Sequence, residues 1–366
     1  MSAERKDSNT KDVSVAKAYE AYYRQGIYLQ RYNDDSLERD RKTIVDNITG
    51  IHRALARLGN SRDIAVFDYG CGDGRHFKIY EEAAELIKPR RLILSAVDVC
   101  SEALDQYAKR LATKKYSDAP FSEEENIFSK TTEGYSDRKG RLIRKMHKQN
   151  LEVRLINNHE KDNLNYEMQL LGKQDFGMAI FGVISHIVEQ SRCEELIKLL
   201  SKNTKVDVIY SIPNEKFILC DEKNAIQAIR KVGLPVNAFG YPVDGSTTLY
   251  ARQSQDPGSP APIVLPYRLF NFKTVVDLFS RIGSEFEISA QKTETEVLLT
   301  HSKETNEHDS RLCENLPKVT SSKIMHDPER AKIEGNLLDQ TAHYFYVKVK
   351  GQFREKNISP QIRAAL

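Results

Sequence analysis

The chain predicts an α/β fold built on a doubly wound, mostly parallel sheet, and three observations carry that prediction. An apolar, β-branched run at Ile64-Ala65-Val66-Phe67 meets Asp68, three glycines follow at alternate positions (Gly70, Gly72, Gly74), and a helical pattern begins at Phe77. A second run, Arg91 to Val97, ends in Asp98, where such folds place the carboxylate that takes ribose hydroxyls. Beyond it, strand-like stretches at Leu151–Ile156, Phe176–Ile187 and Val206–Ile212 alternate with helical patterns, and this alternation calls for parallel pairing.

Taken in order, residues 1 to about 12 are polar and read as disordered. Tyr19, Tyr22 and Tyr23 then share one helical face, either packing or covering a ligand. Ile44, Val45, Ile48, Ile51, Leu55 and Leu58 recur at helical spacing and predict a covering helix. The glycine turn lets bare backbone reach φ > 0 and press against a ligand, with the N–H groups of the new helix behind it. After a helix from Ser101 to Leu111, residues 112–150 form a long polar insertion. Its end, from Arg138 to Lys148 around Arg141, is basic, either a solvated amphipathic helix or an arm for a phosphate polymer. Strand three closes in Asn157-Asn158, and strand four runs into Phe181-Gly182-Val183 and His186, a side chain suited to proton transfer. Strand five closes at Asn214, so Asp68, Asp98, Asn157, Phe181 and Asn214 all fall at strand ends, where ligands of open α/β sheets bind. Residues 215–271 hold Tyr241, Tyr250 and Tyr267, two strand-like pieces around a Pro-rich loop, and so a hairpin over the site. These rings either stack on a base or fill the hairpin's own core. A helix from Phe272 to Ile282, a strand at Phe286–Ala290 and a last strand at His343–Lys350 complete the chain, with residues 302 to about 335 read as a charged flexible loop.

Composition excludes several classes. The 366 residues, 40% hydrophobic, suit one catalytic domain with insertions. A net charge of +3 makes no global basic field, so any nucleic-acid surface must be local. Five cysteines without a C-x-x-C pair suggest a reducing compartment and no metal site. The polar start and the lack of any run near the ~20 apolar residues that span a bilayer point to a cytoplasmic protein without membrane contact.

The pattern Asp68-x-Gly70-x-Gly72-x-Gly74, with Asp98 and the strand-four stretch Phe176–Ile187, resembles the class I methyltransferases that use S-adenosylmethionine. That resemblance implies a seven-stranded sheet with an antiparallel last strand. It implies S-adenosylmethionine as cofactor, held by Asp68, Gly70, Gly72, Gly74, Asp98, Val99, Asn157, Asn158, Phe181 and Gly182. It also implies a Tyr-bearing lid helix, with Tyr19 and Tyr23 as candidates. His186 and Tyr23 are the catalytic candidates, and Tyr19, Asn214, Tyr241, Tyr250 and Tyr267 the substrate-binding ones. The acceptor region looks faintly like that of tRNA wobble-uridine or mRNA cap guanine-N7 methyltransferases, which leans the acceptor toward RNA through the basic arm near Arg141. The D/N-P-P-Y/F tetrapeptide of exocyclic-amine methyltransferases is absent. The expected organisation is a disordered start and lid helix at 1–35, a methyltransferase domain at 36–351 with insertions at 112–150, 215–271 and 302–335, and a tail at 352–366. The expected reaction is direct in-line methyl transfer. A small-molecule or protein acceptor, or a binding subunit without catalysis, stands as the alternative.

Overall fold

Strands whose two faces are both covered should be apolar almost throughout, and the central strands here are. The computed structural model describes residues 19, 20, 23, 38–120, 141–158, 172–180, 183–187, 189–214, 236–239, 247–252, 263–268, 270–291, 316–342 and 344–352. Five parallel strands form the middle of the main sheet: β1 (Ile64–Tyr69), β2 (Leu92–Asp98), β5 (Leu151–Asn157), β6 (Phe176–Ala179) and β7 (Asp207–Pro213). Around them lie β3 (Ser117–Asp118), β4 (Arg141–Lys148), β11 (Phe286–Gln291), β12 (Val319–Thr320) and β13 (Tyr344–Lys350), in the order β12-β11-β13-β7-β6-β1-β2-β5-β4-β3. The chain moves from β1 toward β5, then returns to the other side of β1 through β6 and β7. Strand order therefore reverses between β1 and β6, the place where open α/β sheets leave a crevice at their carboxyl ends. The fold is Rossmann-like.

Successive side chains of β1 alternate between two cores. Ile64 and Val66 join Ile44, Ile48, Ile51 and Leu55 of α1 (Glu38–Arg57), with Phe77 and Tyr80 of α2 (Phe77–Leu86) and Leu104 and Tyr107 of α3 (Ser101–Thr113). Phe67 and Tyr69 face the other way, toward Leu196 and Leu200 of α4 (Gln190–Lys202), Val275 and Phe279 of α5 (Phe272–Ser280) and Leu338 of α7 (Pro328–Thr341). At Gly177 of β6 an added Cβ would lie 2.0 Å from the Phe67 ring, so the absence of a side chain there lets Phe67 fill the space beside its paired residue.

The main sheet differs from expectation in three places. It has ten mixed strands rather than seven; the last strand of the chain, β13, is antiparallel to both its neighbours, β7 and β11. The basic stretch from Arg141 is strand β4, antiparallel to β5, not a helix; Met146 is buried while Arg144 pairs with Asp118 and Lys145 reaches Glu152. Residues 319 to 335 are not a loop: β12, α6 (Ser321–His326) and the start of α7 occupy them. Asp327 accepts a hydrogen bond from the Arg330 N–H, and Pro328 stands in the first turn, both ordinary ways to start a helix.

A second, three-stranded antiparallel sheet, β8 (Val236–Phe239), β9 (Thr247–Arg252) and β10 (Ile263–Arg268), contains the expected hairpin and one further strand. Among the described residues no helix is long and apolar enough to cross a membrane.

Asn214 lies at the end of β7 but is fully buried, and its amide donates to the carbonyls of Asp339 and Ala342 at 2.8 and 2.7 Å. It braces the C-terminal end of α7, whose carbonyls lack helical partners, and does not line the crevice as expected of a substrate-binding residue. Asn214→Ala is expected to cost about 1–3 kcal/mol, the penalty for orphaning buried acceptors. In urea unfolding this should appear as a lower midpoint with unchanged slope.

Candidate functional site

The crevice is built on the turn after β1. Gly70, Gly72 and Gly74 have φ of +78°, +56° and +80°, the left-handed region in which a Cβ is strained. The N–H groups of Gly70 and Cys71 both donate to the Val97 carbonyl, stapling the turn to the end of β2. Arg110 of α3 holds the far side, with Nη2 2.6 Å from Asp73 Oδ2 and Nη1 3.2 Å from the Gly74 carbonyl. An added Cβ at Gly70 would lie 2.3 Å from Val183 Cγ2, and one at Gly74 would strike the Tyr107 ring at 2.4 Å.

Asp98 organises the next layer. Its Oδ2 accepts from the Gly72 N–H and its Oδ1 from the Cys100 N–H, each at 2.8 Å. The Val99 N–H also pulls on this carboxylate, which still has lone-pair room for a ligand donor. Burial raises the Asp98 pKa to about 6 against the opposing pull of the Cys100 and Gly72 N–H groups, with the charge of Asp68 adding to the rise. The register sets Asp98 opposite Asn157 on β5, and the Asn157 amide donates to the Asp98 and Val99 carbonyls. Asn158 follows, buried, its Nδ2 donating to the Tyr69 hydroxyl at 2.5 Å. Its Oδ1 is buried without a partner among the described residues.

The N-terminal tyrosines close over this bed. Tyr23 is buried and clusters with Cys100 and Ala103, with Tyr19 packed alongside. The Tyr23 phenol oxygen lies 3.0 Å from where a Gly72 Cβ would be. Burial, and then the fields of Asp98 and Asp73, push the Tyr23 pKa up, so this phenol is a neutral donor or acceptor and no base. Tyr19 reaches the other wall: its hydroxyl is 2.7 Å from His186 Nε2, and the two rings meet edge to face at 5.4 Å. His186 ends the 3₁₀ turn Val183–His186 after β6.

Of the expected site residues, the structure gathers Tyr19, Tyr23, Asp68, Gly70, Gly72, Gly74, Asp98, Val99, Asn157, Asn158 and His186 around the carboxyl ends of β1, β2, β5 and β6. Phe181, Gly182 and Tyr241 lie outside the described residues, as do the side chains of Tyr250 on β9 and Tyr267 on β10. Asp68 is buried at 3% exposure, with Oδ2 turned to His76 Nδ1 at 3.3 Å. Sequence reasoning passed over Arg110, His76 and Asp40. One signal for Asp40 existed, since it stands four residues before Ile44 and eight before Ile48, a carboxylate on the apolar stripe of α1.

No family model and no curated protein matches the chain. Solved structures do. An S-adenosylmethionine-dependent methyltransferase from Clostridium acetobutylicum ATCC 824 aligns at 10% identity and a TM-score of 0.40, over 92% of this chain and 98% of that one. The CcbJ methyltransferase from Streptomyces caelestis aligns at 11% and 0.37, over 83% and 90%. Phosphoethanolamine N-methyltransferase 2 from Haemonchus contortus, in complex with S-adenosyl-L-methionine, aligns at 9% and 0.37, over 91% and 60%. Likeness this distant decides nothing about activity, which rests on the site's own geometry.

Proposed function

We propose that the chain is an S-adenosylmethionine-dependent methyltransferase. The observation that carries this reading is the meeting of three left-handed glycines with the Asp98 carboxylate beside the Asn158 acceptor, which has no partner among the described residues. Asp98 suits two ribose hydroxyls and Asn158 Oδ1 suits the adenine amino group, with Val99 and Asn157 shaping the wall between. The bare backbone of Gly70 and Gly72 accepts the methionine portion, and Phe181 and Gly182 are assigned to it from their place after β6. When bound, this cofactor supplies a methyl carbon made electrophilic by a sulfonium.

The chain's own task is to align an acceptor against that carbon, which supplies most of what a direct displacement needs. Tyr19 and His186 share one proton across 2.7 Å, so the pair can take a proton from an approaching amine or hydroxyl. RNA drew its support from the acceptor-region resemblance and from the basic stretch near Arg141, and two cations of that stretch, Arg144 and Lys145, are bound to Asp118 and Glu152. The acceptor proposed is therefore an amine or hydroxyl of a small molecule or protein, presented to Tyr19 and His186.

Saturating S-adenosylhomocysteine, at about 100 times its Kd, should add about 2.7 kcal/mol to the stability of the full chain. No thermal shift would remove the methyltransferase reading. Tritiated methyl transfer into fractionated cell extract should label a fraction other than RNA, with the label much reduced by His186→Ala. Labelling confined to RNA would overturn the acceptor assignment, and transfer by His186→Ala at the wild-type rate would overturn the role of His186.

A further inference from the structure

Beneath the glycine turn, three ionisable side chains, one of them the site residue Asp68, are buried together. Asp40 of α1, Asp68 of β1 and His76, which caps α2, are 1%, 3% and 2% exposed. The imidazole stands between the carboxylates, Nδ1 3.3 Å from Asp68 Oδ2 and Nε2 3.5 Å from Asp40 Oδ2. We infer that Asp40 and His76 are positioning residues, forming with Asp68 a carboxylate–imidazolium–carboxylate strut that fixes α1 to the underside of the glycine turn and so holds the cofactor bed in shape. That last clause rests on the function proposed above.

A neutral imidazole has a single N–H, so it can satisfy one of two flanking carboxylates and must turn a lone pair toward the other. With a carboxylate oxygen within 3.5 Å of each ring nitrogen, the site favours the imidazolium, whose charge and two N–H groups both carboxylates attract. The surroundings agree. Burial works against the charged ring, but hydrogen bonds and fields from Asp40 and Asp68 prevail and the His76 pKa is raised. Around Asp68, Tyr80 of α2, Cys71 of the turn and Tyr107 of α3 are each pushed up, first by burial, and stay neutral. Asp73, the next acid along the turn, is paired with Arg110.

The sign of the pH dependence follows. A histidine whose folded pKa exceeds its unfolded value of about 6.5 contributes stability that is complete below that value and is lost as pH rises through the folded pKa. Proton loss leaves two buried acids facing a neutral ring, so α1 loosens from the turn and ligand affinity falls with it. The alkaline limb belongs to the strut. A limb on the acid side belongs to Asp98, whose pKa is about 6.

The test uses the full chain in two ways. NMR titration of the imidazoles, with His76 assigned by its loss in His76→Gln, should show His76 titrating above about 6.5, and Asp40→Asn should bring it down. S-adenosylhomocysteine affinity of the wild type should fall by up to about tenfold per pH unit above that midpoint. In His76→Gln this limb should flatten, and in Asp40→Asn it should move to lower pH. A His76 that titrates at or below about 6.5 overturns the inference. So does an alkaline limb left unchanged in both variants, an outcome that a merely structural role for the pair would give. If His76→Gln does not fold, Asp40→Asn decides by the same two readouts, with His76 then assigned from backbone correlations. Wild-type protein that never binds S-adenosylhomocysteine defeats the proposed function, while the NMR titration still decides the strut.

Discussion

Asp98→Asn should weaken S-adenosylhomocysteine binding by about 2–4 kcal/mol, or roughly 30- to 1,000-fold, at pH 7.5. The loss has two sources. An amide keeps only one acceptor oxygen, so one ribose hydroxyl loses its charged partner. If that oxygen stays with the Cys100 N–H, the amide nitrogen also faces the Gly72 N–H, donor against donor, and the turn itself shifts. Calorimetric titration measures it directly, and an affinity within about threefold of wild type would remove Asp98 from the ligand bed. The wild type should carry a pH signature of the same group. Donors on the ligand favour the carboxylate, so affinity should be level from about pH 6 toward neutrality and fall by up to about tenfold per unit as pH drops below that point. In the free protein the sign is opposite, since a carboxyl whose folded pKa is raised favours the folded chain at acid pH, and that contribution is lost as pH rises from the unfolded value of about 3.9 through about 6.

Gly70→Ala should be the most damaging small change in the site. A methyl group there meets a φ of +78° and a Val183 methyl carbon at 2.3 Å at the same time. Left-handed strain costs about 1–3 kcal/mol and overpacking about 1–3 more, so stability should drop by about 2–6 kcal/mol and ligand binding should vanish. The two terms separate. Gly59 has φ of +63° with nothing within 4 Å of its missing Cβ, so Gly59→Ala should show the strain alone. Adding Val183→Ala to Gly70→Ala should recover the packing part, giving a coupling energy of about 1–3 kcal/mol in a double-mutant cycle. Strictly additive effects would show that Val183 does not press on the turn.

The portion of the site that is local in the chain was legible in the sequence. Gly70, Gly72 and Gly74 had to be a turn because of their spacing, and Asp98 had to end a strand because the apolar run stops there. Contacts between distant residues left weaker traces. Tyr19 and His186 are 167 positions apart, and nothing in either stretch announces the other. Asp40, His76 and Asp68 come from three elements whose packing alone makes their charges tolerable. In the basic stretch, Leu142 and Met146 sit four apart, a helical spacing, and the bulge between Leu142 and Arg144 breaks the alternation that would mark a strand. It is the pairing with β5, and Glu152 drawing in Lys145 and Arg154, that selects the strand. The segment from 319 to 335 hid its helices for another reason. The first buried residues of α7 are Ala331 and Gly335, with Gly335 kept bare by the Phe272 ring, and such small anchors escape a search for large apolar side chains.

The place of β13 bears on how the molecule is made. β7 and β11 do not touch; each is completed by the late strand slotted between them, through seven and six paired residues respectively. During synthesis the half of the sheet that bears the glycine turn can assemble from earlier residues, while β7 and β11 wait with open backbone edges for Tyr344–Lys350 to emerge. Exposed edges of this kind recruit other strands, and long-range pairing of this kind is slow. Ribosome-bound chains halted before Tyr344 should therefore be the aggregation-prone species, and the time spent waiting for β13 the interval in which a chaperone matters most.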